Sequence, residues 1–361
     1  MPCTQPLHAY RSHQQTNLSG KPSILFKKPL EQGHGYEEID LPCGQCLSCR
    51  INRSRQWALR CIHEAQQWEH NCFITLTIND QNLSLKDKQC DKCPVYKRND
   101  NQRCEEGSLC KRDFQLFMKK LRKKFRGYER VPNTKRYPIR YFHCGEYGSK
   151  LKRPHHHACV FNFQFPDRVL WRGAPSFRAP QENEGKSQIK LYRSKILEGL
   201  WPYGFSTIGE VTWQSAAYVA RYVTKKITGD KAAIHYMVGD PDTNTGECYY
   251  IEPEYITMSR RPGIGELWFN KYGTQQYGKD FITHDGKPFA IPKYYDKLMA
   301  HIDEPKLSSI KKERRIRACA LQPDGLKAQI QRLQAKDVIL KQRFEKLMRS
   351  IENDPKNVQR I

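Results

Sequence analysis

Three shortages narrow what this chain can be. No apolar run reaches the roughly 18 residues that a membrane-spanning helix needs. The opening residues show no signal-peptide pattern, so the expectation is a soluble protein that stays inside the cell. Acidic residues are scarce: 38 Asp and Glu stand against 62 Lys and Arg, a net charge of +24. An imbalance of that size predicts a polyanionic partner, nucleic acid before a membrane surface. Signs of general disorder are also missing, with 38% hydrophobic and 11% aromatic residues over 361 positions. That suffices for one large domain or two moderate ones. Fourteen cysteines in an intracellular setting point to zinc thiolates or buried thiols before disulfides.

What is present centres on Arg153-Pro154-His155-His156-His157. The apolar run Ala158 to Phe163 reads as a buried strand, and Pro154 is tolerated at the start of one. Alternation along a strand puts His155 and His157 on one face and His156 on the other. Two imidazoles so placed can hold a divalent metal; a cluster that binds nothing is the alternative. Ile139 to Cys144 is a second strand, joined through the Gly145 to Ser149 turn as an antiparallel partner. Glu146 lies at its end, either near His155 as a third ligand or paired with Lys150 or Arg153.

Residues 1–42 lack periodicity and read as an extended or poorly ordered arm. Cys43-x-x-Cys46-x-x-Cys49 is either a zinc knuckle, with Cys3 or a His as fourth ligand, or three thiols on a turn. Residues 51–68 form a basic amphipathic helix, with Arg50, Arg53, Arg55 and Arg60 around it. The β-branched stretch Cys72 to Ile78 is a buried strand. Cys90, Cys93, Cys104 and Cys110 fall in a polar segment, 88–110, that a four-thiolate zinc would order. A helix follows on Phe114, Phe117, Met118, Leu121 and Phe125. Its other face carries Lys119, Lys120, Lys123, Lys124 and Arg126. From Lys111 to Arg153 there are fifteen Lys and Arg against three Asp and Glu, half of the chain's excess charge. That concentration reads as a phosphate-tracking surface.

Phe205 to Val211 is a further strand. Thr212 caps a helix on which Tyr218 and Tyr222 emerge four residues apart, with Lys225 and Lys226 following in register. Such a pair is either packing or two nucleophiles beside phosphate-binding cations. Tyr255 to Met258 leads as a strand into Arg260-Arg261-Pro-Gly, a loop suited to contacting a nucleic-acid backbone. The tail carries a basic helix over 326–351, with apolar residues spaced by three and four.

Tyrosine attack on a phosphate, assisted by Mg²⁺ or Mn²⁺ at His155, His157 and Glu146, would store the broken bond as a 5′-phosphotyrosine link. Arg153-Pro-His-His-His157, Glu146, Phe73-Ile-Thr-Leu-Thr77 and Tyr218-Val-Ala-Arg-Tyr222-Val-Thr-Lys-Lys226 together resemble the motif set of HUH-type rolling-circle replication initiators. Pro42-Cys-Gly-Gln-Cys46 and Met258-Ser-Arg-Arg-Pro-Gly-Ile-Gly265 resemble the gokushovirus branch of the microviruses. The likeness covers roughly Cys43 to Tyr272. It implies an α+β nuclease domain over 43–275, with a central antiparallel sheet and flanking helices, and a C-terminal extension over 276–361. It also implies origin nicking, covalent 5′ attachment, priming from the 3′-OH and rejoining of the displaced strand. Tyr218 and Tyr222 are then the nucleophiles. His156 stands where the family usually has a bulky apolar residue.

The partners expected are single-stranded or supercoiled origin DNA and a host helicase and polymerase. A histidine-triad hydrolase is disfavoured because its third alternating position is Cys159. A plasmid relaxase shares the two-His fold. A non-catalytic, zinc-stapled DNA-binding regulator would explain the charge and the cysteines but neither the His pair nor the Tyr pair.

Overall fold

The computed structural model describes residues 3–18, 20–29, 35–83, 107–126, 139–148, 152–171, 190–221, 231–238, 249–320 and 325–352. Two compact units divide the chain: Met1–Arg53 with Pro305–Ile351, and Ser54–Glu304 with Glu352–Ile361.

In the first unit, the stretch expected to be an extended arm is a three-stranded antiparallel sheet, in the order Pro22–Leu25, Leu7–Thr16, Tyr36–Leu41. The central strand buries only Ala9 and Ser12, so it carries no apolar alternation to read. Backbone hydrogen bonds define its pairing instead, with the cross-strand ion pair of Arg11 and Glu37; Glu37 also pairs with Arg315 of the helix Glu304–Ala320. Thr4 Oγ1 donates to Asp337 Oδ1 at 2.6 Å, tying the start of the chain to the tail helix Leu326–Glu352. On that helix Ile330, Val338 and Ile339 are exposed.

The second unit is α+β. Seven antiparallel strands lie in the order Tyr255–Met258, Arg140–Tyr147, Pro154–Phe161, Asn71–Thr77, Ser206–Gly209, Tyr192–Arg193, Val169–Leu170. The histidine strand, Pro154–Phe161, is buried along its whole length because it has a long neighbour on each side. Strand alternation sorts the apolar residues into two cores. Cys72, Ile74, Leu76, Ala158 and Val160 join Phe114, Phe117, Met118 and Leu121 of the helix Lys111–Lys124, together with Trp201. Cys159, Phe161, Phe142 and Cys144 join Ala58, Cys61 and Ile62, and Ala216, Val219 and Ala220 of the helix Trp213–Arg221. Each fully buried Val, Leu, Ile, Phe or Met among them contributes roughly 1.5–3 kcal/mol. Helices thus cover both faces of the sheet. Among the described residues no helix is long and apolar enough to cross a membrane.

One buried ion pair pins a loop to this core. Arg140 Nε donates to Glu64 Oε1 at 2.6 Å, with both side chains nearly inaccessible, and Gly265 N donates to Glu64 Oε2 at 2.7 Å. Arg140 also reaches the Pro262 carbonyl and Arg60 the Ile264 carbonyl. Gly265 has φ +81°, and a Cβ there would run into the Tyr295 hydroxyl and the Arg60 backbone. Arg60, one of the arginines read around the basic helix, is buried between the Trp57 and Tyr294 rings.

Candidate active site

Register brings the site together. Thr75 and Thr77 sit opposite His157 and His155 on one side, while Cys144, Gly145 and Glu146 sit opposite His157, His156 and His155 on the other. Glu146 therefore lies within the strand Arg140–Tyr147 rather than in the following turn. Cross-strand pairing keeps its side chain on the face of His155 and His157. His157 Nε2 contacts Glu146 Oε1 at 2.8 Å, and His157 Nδ1 contacts Thr75 Oγ1 at 3.0 Å. The His155 and His157 rings stand 6.3 Å apart with planes 3° from parallel. His155 Nδ1 lies 2.7 Å from the Arg153 carbonyl. A carbonyl only accepts, so that nitrogen carries the proton and Nε2 keeps its lone pair. Burial, and then the neighbouring His157, hold the His155 pKa below its ordinary value despite the raising effect of that bond, so the ring is neutral near pH 7.

The helix Trp213–Arg221 lies over this face. The Thr212 hydroxyl accepts from Ser215 N at 3.2 Å, which caps the first turn. Tyr218 then projects onto the histidines. Its hydroxyl donates to Glu146 Oε1 at 3.3 Å, and its ring meets His157 edge-on at 4.9 Å. Tyr222, Lys225 and Lys226 lie outside the described residues. Two imidazoles, a carboxylate and a phenol thus meet on one face of the sheet. The donor set suits a divalent cation, with a lone-pair nitrogen on His155 and a carboxylate beside His157. Thr75 is then the outer partner that orients His157.

The opposite face of the same strand is a packing environment. His156 is fully buried, with Nδ1 3.1 Å from His143 Nε2, and its own Nε2 has no hydrogen-bond partner. His143 stacks on Phe114 with ring centroids 3.5 Å apart and contacts Thr257 Oγ1 at 2.8 Å. Burial pushes His156 down to about 3 and His143 well below its ordinary value.

The remaining sequence candidates separate. Lys119, Lys120, Lys123, Lys124 and Arg126 are exposed, but their helix packs on the His156 side of the sheet, away from Tyr218. Arg260 and Arg261 are exposed at the tip of the loop that Glu64 holds. Arg153 is half-buried and supplies the carbonyl that fixes His155. Cys43, Cys46 and Cys49 come together with Cys3, all four sulfurs within 4.8 Å of one another. Among the described residues this is the one group of three or more ligating side chains that tight; His155, His157 and Glu146 form a wider set. Cys110 is buried beside the helix it precedes, whereas Cys90, Cys93 and Cys104 lie outside the described residues. Thr75 and His143 escaped the sequence reading. Thr75 is visible only once register sets it opposite His157, although the Thr75-x-Thr77 alternation was there to see.

Residues 71–227 match the family model of the replication-associated protein ORF2/G2P, a span that contains the histidine strand, Glu146 and the tyrosine helix. Replication-associated protein VP4 of Bdellovibrio phage phiMH2K is 32% identical over 256 residues, 70% of this chain and 65% of that protein. The match thus spans just under two thirds of the VP4 length. Replication-associated protein ORF2 of Spiroplasma virus 4 is 32% identical over 330 residues, 87% of this chain and 86% of that protein. Replication-associated protein ORF4 of Chlamydia phage 1 is 26% identical over 272 residues, 73% and 56% of the two. No solved structure matches the chain. On the extent of the Spiroplasma virus match and the family model laid across the whole candidate site, the chain belongs to the ORF2/G2P family of replication-associated proteins.

Proposed function

We propose that this protein is an HUH-type, tyrosine-dependent nickase that starts rolling-circle replication of a small single-stranded-DNA phage genome. The observation that carries the proposal is the Tyr218 hydroxyl on the Glu146 carboxylate, over the His155 and His157 face. The names of the relatives support a role in phage DNA replication. A divalent cation held by His155, His157 and Glu146 would supply Lewis-acid polarisation of a scissile phosphate.

The protein's own groups do the rest. A phenol ionises near pH 10, so at neutral pH Tyr218 needs its proton drawn away. Glu146 accepts the hydrogen bond from that hydroxyl and is placed to take the proton. Attack by the Tyr218 oxygen on the phosphorus forms the tyrosyl–phosphate bond and breaks the bond to the 3′ oxygen, which takes up the proton that Glu146 received from the phenol and leaves as a 3′-OH. That hydroxyl primes synthesis. The reverse attack, by a 3′-OH on the phosphotyrosine, rejoins a strand without ATP because the ester keeps the energy of the broken bond. Tyr222, four residues on in the sequence, supplies a second nucleophile for the next round. Arg260 and Arg261 grip the phosphate backbone from their pinned loop. Lys119, Lys120, Lys123, Lys124 and Arg126, across the sheet, engage DNA beyond the cleaved strand.

The test uses oligonucleotides tiled across the genome that encodes the chain, with Mn²⁺ or Mg²⁺. Site-specific cleavage of one tile, abolished by chelator and by Glu146→Gln, is the expected outcome. A gel shift on the same tile with no cleavage under any metal identifies a DNA-binding regulator instead and overturns the proposal.

A further inference from the structure

A second set of metal-binding groups lies in the first unit, apart from the chemistry above. Cys3, Cys43, Cys46 and Cys49 converge from two points of the chain forty residues apart. Cys3 Sγ lies 3.7 Å from both Cys43 Sγ and Cys46 Sγ. A disulfide needs sulfurs about 2.05 Å apart. Four thiolates on a tetrahedral zinc, each about 2.3 Å from the metal, stand about 3.8 Å from one another. The observed spacing is that of an S₄ shell.

The backbone is arranged for the same purpose. Gly44 has φ +75°, the left-handed turn that folds Cys43-x-x-Cys46 into a knuckle. Cys46 N donates to Cys43 Sγ at 3.2 Å and Cys43 N donates to Cys3 Sγ at 3.4 Å. Amide donors of this kind orient and stabilise metal-bound thiolates. Cys49 lies in the first turn of the helix that begins at Leu47, and Cys3 and Cys46 are almost inaccessible. Among the described residues the small unit around them has little apolar core: its central strand buries only Ala9 and Ser12, and its helix Glu304–Ala320 only Leu307 and Ile310.

We propose that Cys3, Cys43, Cys46 and Cys49 bind one structural Zn²⁺, which staples the beginning of the chain to the start of the first long helix. Four thiolates leave no open position, so the ion takes no part in strand cleavage. Its role is to order the three-stranded sheet that Cys3 leads into. The proposal stands independently of the nickase reading.

The test uses full-length protein purified without chelator. Elemental analysis with the wild type and with a Cys3→Ser, Cys43→Ser, Cys46→Ser, Cys49→Ser variant is expected to show the variant short by one zinc per chain. Should that variant fail to fold, thiol alkylation of the wild type followed by peptide mapping gives the same answer. Cys3, Cys43, Cys46 and Cys49 are expected to resist alkylation until a strong zinc chelator is added, and then to react together. Replacing the metal with Co²⁺ is expected to give the intense thiolate charge-transfer and visible bands of tetrahedral S₄ cobalt. Unchanged zinc content in a folded variant, iron in place of zinc, or alkylation indifferent to chelator overturns the proposal.

Discussion

His155 and His157 on one face of a strand, and His156 on the other, share a side chain and a stretch of backbone but not an environment. The first two meet a carboxylate, a threonine hydroxyl and a phenol. His156 meets a second buried histidine, Phe114 and Trp201. The period of two in the strand makes the difference, and the layers laid over each face give it chemical meaning. A polar side chain facing a helix that presents a tyrosine becomes part of a site. The same side chain facing an aromatic core becomes a packing element with one nitrogen unsatisfied.

Substitutions on the two faces break the comparison cleanly if it is wrong. His155→Ala, His157→Leu and Glu146→Gln are each expected to slow strand cleavage by at least about 100-fold, since each removes a proposed cation ligand worth several kcal/mol. Cleavage assays on folded protein, checked by circular dichroism, measure this. Thr75→Val removes only the hydroxyl that orients His157. It is expected to weaken metal binding by roughly 10- to 100-fold, read as a rise in the Mn²⁺ concentration needed for half-maximal cleavage.

His156→Leu should do the reverse of His157→Leu. It strands the His143 nitrogen, at a cost of about 1–3 kcal/mol in denaturant unfolding, partly offset by removal of the unsatisfied His156 Nε2. Cleavage per folded molecule should stay unchanged. Loss of cleavage in a well-folded His156→Leu protein would show that both faces serve the site.

A pH dependence of stability follows from a histidine held neutral by packing. His63 is buried against Trp268, contacts the Tyr295 hydroxyl at 2.8 Å, and has a pKa pushed down to about 3 by burial and by His284. Its folded value lies below the unfolded value of 6.5, so the unfolded chain binds the extra proton between the two. Its contribution to stability is complete above that window and is lost as pH falls through it, at about 1.4 kcal/mol per pH unit. His63→Phe keeps the ring stack and is expected to flatten the acid limb of the stability–pH curve by one proton. Urea titrations across that range measure it.

The sequence carried the site further than it carried the fold around it. Alternation alone separated His155 and His157 from His156, and helical spacing put Tyr218 on the cap-proximal helix. Glu146 needed the strand register before its carboxylate could be placed on His157, because local spacing equally allowed a turn carboxylate. Arg140, Glu64 and Arg60 were opaque for a different reason. Charged residues in a basic chain read as surface, and only tertiary pairing across 76 positions turns Arg140 and Glu64 into a buried clamp. The strand Leu7–Thr16 was illegible because it buries two of its ten residues, so hydrogen bonds rather than hydrophobic pattern define it.

Tyr218 is the proposed attacking group beside the His155 and His157 face. Trapping the protein with a cleaved origin oligonucleotide, digesting it, and mapping the nucleotide-bearing peptide by mass spectrometry tests that directly. A 5′-phosphotyrosine link at Tyr218 or at Tyr222, absent in the Tyr218→Phe, Tyr222→Phe double variant, is the predicted result. A cleaved strand with a free 5′-phosphate and no peptide adduct would mean water is the nucleophile, and would contradict it.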